Sequence, residues 1–185
     1  MHYISYDDTY GDLIRECLKG KRLAQKELYE RLSSRMFSVC IRYVGDKEIA
    51  KDILHDGFIT LFSKLNTFKG DGSFEGWARR IFVNTSLRHI RKADVLKLAE
   101  GLDSGELAQV TISPTVIEQL EAKTLMKLIS EMPVGFRTVF NMYVIEGYNH
   151  QEIAKILEIS EGGSRSQLSR ARIWLQDKLV KLGLK

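Results

Sequence analysis

Cysteine and proline are both scarce: the 185 residues hold two of each, Cys17 and Cys40, Pro114 and Pro133. Two cysteines cannot build a disulfide framework or, by themselves, a four-ligand zinc site. Both fall in apolar stretches of helical spacing (Leu13, Ile14, Cys17, Leu18 and Val39, Cys40, Ile41, Val44), which favours small buried hydrophobes over a redox pair. The four histidines, His2, His55, His89 and His150, show no metal-ligand spacing. No Gly-x-Ser-x-Gly, P-loop or His-Glu-x-x-His motif occurs. Nothing therefore points to catalysis, a metal or a cofactor. No apolar run approaches the ~18 residues a membrane span needs. The opening MHYISYDDTYGD is acidic where a signal peptide is basic, and no apolar segment follows it. The expectation is a cytoplasmic protein with no membrane insertion.

What is present is a helical pattern. With two prolines, long stretches are free of helix breakers. Apolar residues recur at three and four throughout, and no segment sustains period-two alternation. Leu13, Ile14, Cys17 and Leu18 open one helix, ended by Gly20. Ala24, Leu28 and Leu32 begin the next, which runs through Met36, Phe37, Cys40, Ile41 and Val44 to Gly45. Ile49, Ile53, Leu54, Phe58, Leu61, Phe62 and Leu65 mark a third, up to Asn66. A glycine-containing loop, Thr67–Gly72, precedes a helix with Ser73 as N-cap and Trp77, Ile81, Leu87 and Ile90 inward. The fold class expected is all-α.

Composition divides the chain. Residues 1–92 carry a net charge of +5, residues 93–127 of −3 and residues 128–185 of +2, for a total of +4. From Ala93 to Thr115 the chain is acidic, contains two glycines and ends at Ser113-Pro114, which reads as a linker with a short helix near Val95–Leu98. The organisation expected is an N-terminal helical bundle (1–92), a flexible linker (93–115) and a C-terminal domain (116–185). No internal repeat relates the two domains.

In the second domain Phe136, Val139, Phe140, Tyr143 and Val144 predict a helix closed near Gly147. Asn149 then caps a short helix with Ile153, Ala154 and Leu157 on one face. Glu158-Ile159-Ser160 forms a turn, and Ser160 caps a third helix. A short helix, a tight turn and a basic helix make a helix-turn-helix, which places its second helix in the DNA major groove. On that helix Leu168, Ala171, Leu175 and Leu179 share the inner face. Ser166, Ser169 and Arg170 point away, with Arg165 and Arg172 on the flank. Arginine grips guanine edges or phosphate, and serine permits close approach. A solvated face over an ordinary core explains these residues equally well; the preceding helix and turn favour DNA.

The first domain holds a second basic stretch. Trp77–Ala93 contains Arg79, Arg80, Arg88, Arg91 and Lys92, one histidine and no acid, with Asn84, Thr85 and Ser86 as polar donors. The loop upstream contains Phe68, Lys69, Gly70, Asp71, Gly72 and Ser73, followed by Phe74. Cations that track phosphates beside rings or a pocket for unstacked bases suit unpaired DNA. The alternative is that Phe68, Phe74 and Trp77 are core residues, the better reading for Trp77 because Ile81 shares its face. In the helix before the loop, Asp52 and Asp56 repel slightly at i and i+4. Solvated charges explain them by default; a basic protein partner would offset the repulsion.

Three stretches together carry a resemblance: AQKELYERLSSRMFSVCIRYVGD, IAKDILHDGFITLFSKLNTFKGDGSFEGWARRIFVNT, and MPVGFRTVFNMYVIEGYNHQEIAKILEISEGGSRSQLSRAR. In order and spacing they resemble the extracytoplasmic-function (ECF) sigma factors, the two-domain bacterial transcription initiation factors, over roughly Leu13–Lys92 and Val116–Leu182. The resemblance implies sigma region 2 at residues 1–92 and a helix-turn-helix sigma region 4 at 116–185. Asp52, Leu54, Asp56 and Phe58 would bind the RNA polymerase core. The loop Asn66–Ser73, with Asn66, Lys69, Gly70, Asp71, Gly72 and Ser73, would hold a flipped base of the −10 element, and Arg80, Asn84 and Arg88 would line up its strand. Arg165, Ser166, Ser169 and Arg170 would contact the −35 element, with Arg172 on phosphate. The linker would thread toward the RNA exit path. Partners implied are the polymerase core, promoter DNA (duplex at −35, single-stranded at −10) and an anti-sigma factor.

Three residues depart from the pattern. Glu158 stands where glycine is common in the turn, Gly163 where threonine or alanine is usual, and Ser164 where an aliphatic residue is common. Glycine near a helix start costs up to ~1 kcal/mol relative to alanine, which predicts a recognition helix that begins late or frays without DNA. The rival reading is a stand-alone helix-turn-helix regulator that binds palindromic duplex by itself. A sigma factor binds DNA poorly until polymerase is present, so a gel shift with and without core polymerase separates the two.

Overall fold

The computed structural model describes residues 9–92 and 122–183. The linker expected at 93–115, its short helix near Val95–Leu98 and the start of the second domain at 116 lie outside the described residues. Among the described residues every regular element is a helix. Packing divides the described residues into two units, one of residues 9–41 and 46–86 and one of residues 42–45, 87–92 and 122–183.

In the first unit, α1 (Gly11–Leu18) stops before Gly20, whose φ of +77° suits glycine. Next come α2 (Arg22–Val44), in this unit as far as Ile41, and α3 (Lys47–Lys64). Asp46 caps α3 by accepting from the Glu48 and Ile49 amides, both at 2.9 Å, which satisfies donors that helix geometry leaves unpaired. A single 3-10 turn (Leu65–Thr67) leads into the loop, and α4 (Phe74–Lys92) lies beyond it, in this unit as far as Ser86. Ile14, Leu28, Leu32, Leu61, Phe74 and Phe82 are fully buried. Phe58 sits against Tyr29 and Phe82, with ring centroids at 4.4 and 5.1 Å. A Cβ built on Gly57 would lie 2.3 Å from the Phe82 ring, so glycine there lets that ring reach the α3 backbone.

The inner face of α4 differs from the expected one. Phe74, Ala78, Phe82, Leu87 and Ile90 are buried, whereas Trp77 and Ile81 are half-buried. Phe82 comes eight residues after Phe74, two helical turns plus ~80° of a third, and Ala78 lies between them, too small to stand out in a hydrophobic pattern. Ile49 likewise falls on the exposed side of the first turn of α3.

The second unit contains α5 (Ala122–Glu131), α6 (Val134–Phe140), α7 (His150–Leu157) and α8 (Glu161–Lys181). The expected single helix through Val144 ends as α6 plus one π-helical turn, Asn141–Ile145. A π turn adds a residue per turn and so shifts the helical phase of the residues after it. Asn141 and Met142 are consequently buried and Tyr143 and Val144 exposed, opposite to the expectation for the latter two. Residues 42–45 pack with this unit, where Arg137 is buried and donates to the carbonyls of Ser130, Met132, Tyr43 and Val44 at 2.5–3.2 Å. A Cβ at Gly45 would approach that guanidinium to 2.5 Å, and the φ of +76° there also requires glycine.

Candidate nucleic-acid interface

On α4 the exposed residues include Gly76, His89 and Arg91 and one line of polar side chains. Arg80, Asn84 and Arg88 are spaced by four and all exposed. Thr85 and Ser86, expected as further donors, are buried. Their hydroxyls donate back to the Ile81 and Phe82 carbonyls at 2.8 and 2.9 Å, which removes them from the outer face. Arg79 is half-buried and Arg91 exposed. The stripe is cationic because Arg80 and Arg88 flank a neutral amide.

The loop before α4 separates its apolar and polar residues. Phe68 and Phe74 are buried, and their rings lie 5.2 Å apart in an edge-on pair. Trp77 packs 5.4 and 5.6 Å from them. The rings are therefore core, and Phe68 and Phe74 offer no face on which a base could stack. Asn66, Lys69, Asp71 and Ser73 are exposed and Gly70 partly so. Gly70 and Gly72 have φ of +82° and +85°, which turn the polar tip over its buried aromatic anchor. The Ser73 hydroxyl accepts from the Gly76 amide at 3.4 Å, in keeping with its expected place at the helix start.

On α3, Asp52 and Asp56 are exposed together, with His55 between them. Leu54 and Phe58, which the resemblance names with them as polymerase contacts and the helical period places in the apolar stripe, are only 8% and 4% exposed. They face the core because positions two residues from Asp52 and Asp56 lie on the opposite side of a 3.6-residue helix. Besides Ile49, the apolar residue that accompanies the aspartates at the surface is Ile59, 57% exposed. Its misfit to the buried stripe of Ile53, Leu54, Phe58 and Leu61 is the signal that could have found it.

The helix-turn-helix is closed by its caps. Asn149 and Glu152 form a reciprocal capping box at the start of α7, with bonds of 2.8 and 2.9 Å. Glu158 ends α7 in the left-handed region, φ +59° and ψ +39°. The turn thus keeps the backbone a glycine would provide, at some cost in strain for a residue with a Cβ. Ser160 accepts from the Gly163 amide at 2.9 Å, and α8 begins at Glu161. The recognition helix therefore starts on time rather than late. A Cβ at Gly163 would come within 3.0 Å of the Ser160 oxygen, tighter than ordinary contact. Arg165 is exposed and ion-paired with Glu161 one turn earlier. Ser166, Ser169, Arg170 and Arg172 are half-buried, and beneath them Leu168, Ala171, Leu175 and Leu179 form the inner face as expected.

Both buried cysteines are inert by environment. Burial pushes the Cys17 thiol up to about 11 and that of Cys40 up to about 12, where thiolate is negligible at neutral pH. Among the described residues no group of histidines, cysteines and acids could hold a metal, and no helix is long and apolar enough to cross a membrane.

Two family models match this chain: sigma-70 region 2 over residues 28–95, and sigma-70 region 4 over residues 122–175. The chain is 28% identical over 171 residues to the RNA polymerase sigma-H factor of Pseudomonas aeruginosa, covering 86% of this chain and 88% of that protein. It is 26% identical over 180 residues to the ECF RNA polymerase sigma-E factor of Escherichia coli, covering 92% and 94%. A solved chain of the sigma factor RpoE, in complex with the anti-sigma factor NepR from Bartonella quintana, is similar at 20% identity and a TM-score of 0.48, covering 83% of this chain and 95% of that one. A sigma-70 region 2 followed by a region 4 defines a sigma factor, a subunit that directs RNA polymerase to promoters for transcription initiation. Within that class the chain belongs to the ECF sigma factors.

Proposed function

We propose that the exposed stripe Arg80–Asn84–Arg88 guides the single strand of the −10 element, while the polar loop Asn66–Ser73 receives a base turned out of the stack. The observation that carries this reading is that these three residues form one line of exposed donors on α4, a basic helix face beside a glycine-turned loop with a polar tip. Capturing unstacked bases offsets an unpairing cost of a few kcal/mol, so melting requires no ATP. Because Phe68 and Phe74 are core, base capture rests on the polar groups and backbone of Lys69, Gly70, Asp71, Gly72 and Ser73. The α8 residues Arg165, Ser166, Ser169, Arg170 and Arg172 read or clamp the −35 duplex. Asp52 and Asp56, with Ile59 in place of Leu54 and Phe58, form the docking face for the polymerase core.

On this reading residues 1–92 act as region 2, residues 93–115 as linker and residues 116–185 as region 4. The protein has no chemistry of its own, works in the cytoplasm and is held inactive by an anti-sigma factor. A free helix-turn-helix regulator would have no use for the α4 stripe. The test is reconstitution: core polymerase plus this chain starts run-off transcripts from a promoter library, and the free chain shifts the same DNA weakly. Tight palindromic binding by the free chain, with no transcript from the reconstituted enzyme, overturns the proposal.

A further inference from the structure

Ser164, one of the three departures from the family pattern, has no exposed surface. Its hydroxyl oxygen lies 2.9 Å from Nδ1 of His150, the first residue of α7. The other side of the His150 ring is occupied too: it stacks on Tyr143 with centroids 4.5 Å apart and planes 24° from parallel. Tyr143 belongs to the π turn at the end of α6. One aromatic and polar chain, Tyr143–His150–Ser164, therefore joins three consecutive elements of the helix-turn-helix.

The remaining packing in this region is of a different kind. α7 contributes Ile153 and Leu157 to the core, and α8 contributes Leu168, Ala171, Leu175 and Leu179. Apolar burial is non-directional and tolerates small rotations of one helix on another. A hydrogen bond loses strength once its distance or angle leaves a narrow window. Ser164 immediately precedes Arg165 and Ser166, and Ser169 lies little more than one turn further on. A rotation of ~10° about the helix axis moves a group at the side-chain radius of ~5–6 Å by about 1 Å. That displacement is enough to break a bidentate contact with a base edge. An aliphatic residue at 164 would fill the space without fixing the angle.

The environment favours the neutral imidazole. Burial is the main cause that pushes His150 below its ordinary value, and Arg165 and Arg172 add to it, while Glu161 opposes them. A neutral ring offers one donor and one acceptor, so it bonds a serine hydroxyl in either tautomer.

We propose that His150 and Ser164 form a positioning pair that sets the rotation of the recognition helix, and through it the base preference at the −35 element. The inference rests on the reading of α8 as the −35 helix. The test uses holoenzyme assembled from core polymerase and the full chain. Its substrate is a duplex library randomised across the −35 positions above one fixed −10 element, selected by run-off transcription. Ser164→Ala and His150→Phe, which keeps a ring on Tyr143, each reduce enrichment of the preferred −35 sequence about five- to tenfold, the effect of stranding a buried polar partner. The double variant falls no further, because one shared bond is already gone, and Ser164→Thr restores most of the preference. Randomising the −10 element instead gives the wild-type result for all four. Additive losses, an unchanged −35 preference, or equal losses at −10 overturn the pairing. Arg165→Ala distinguishes the levels: if it abolishes −35 preference while the pair variants do not, only the pair fails; if it too leaves −35 preference intact, the reading of α8 fails as well.

Discussion

The α4 face and the α8 face are both cationic and helical, yet they are built in opposite ways. α4 buries its own Phe74 and Phe82, the latter against Phe58 of α3, and its outer stripe stands free of that aromatic contact. α8 is set by polar detail: the Ser160 cap, the Asn149–Glu152 capping box on its neighbour, and the Ser164–His150 bond. Of its candidate contact residues, Ser166, Ser169, Arg170 and Arg172 are half-buried and Arg165 is exposed. The difference fits the two tasks proposed for these faces. Holding a flexible single strand needs accessible charge and tolerates small errors in angle. Reading a duplex needs side chains registered on base edges, so the helix itself must be fixed.

If that contrast holds, the first unit fails through its hydrophobic floor and the second through its caps. Phe82→Ala has the largest expected effect, a loss of ~3–5 kcal/mol from removal of a fully buried ring, seen as a fall in the melting transition of the first unit. Gly57→Ala comes second at ~1–3 kcal/mol, because the new methyl group meets the Phe82 ring. Ser160→Ala lowers the stability of the second unit by ~1 kcal/mol in denaturant titration, through loss of the cap on α8. Glu158→Gly works in the other direction and stabilises by ~0.5–1 kcal/mol, since glycine holds φ +59° without strain. Its exposed ion pair with Arg91 offsets little of that gain.

A final, small effect concerns pH. The folded environment lowers the proton affinity of His150, so the unfolded chain binds more protons there, and stability falls as pH drops below ~6.5. His150→Phe removes that component of the slope between pH 7 and 5. A titration curve that is the same in both proteins contradicts the assignment.

Much of this architecture was legible in the residues. The helices from Leu13 to Ile90, the caps Asn149 and Ser160, and the inner face of α8 all come from periodicity and side-chain chemistry. The arginines of the α4 stripe stood out because no acid interrupts them. Three things were hidden, each for a physical reason. The π turn at Asn141–Ile145 shifts the helical phase, so Tyr143 and Val144 look apolar-inward yet face solvent. Ile59 stands at the surface beside Asp52 and Asp56, off the apolar stripe of α3, so helical periodicity gives it no place. The His150–Ser164 bond joins residues whose separation of fourteen has no helical meaning, since a turn intervenes. Even so, two of the departures acquire a purpose in the structure: Gly163 makes room for the Ser160 cap, and Ser164 meets His150.

The most direct measurement is permanganate footprinting of unpaired thymines on a promoter selected by this holoenzyme. The account predicts that the wild-type chain makes −10 thymines reactive. The variant carrying Arg80→Ala, Asn84→Ala and Arg88→Ala should keep its fold and its binding to core polymerase but leave those thymines protected. Equal reactivity with that triple variant and with wild type would contradict the assignment of the α4 stripe to the opened strand.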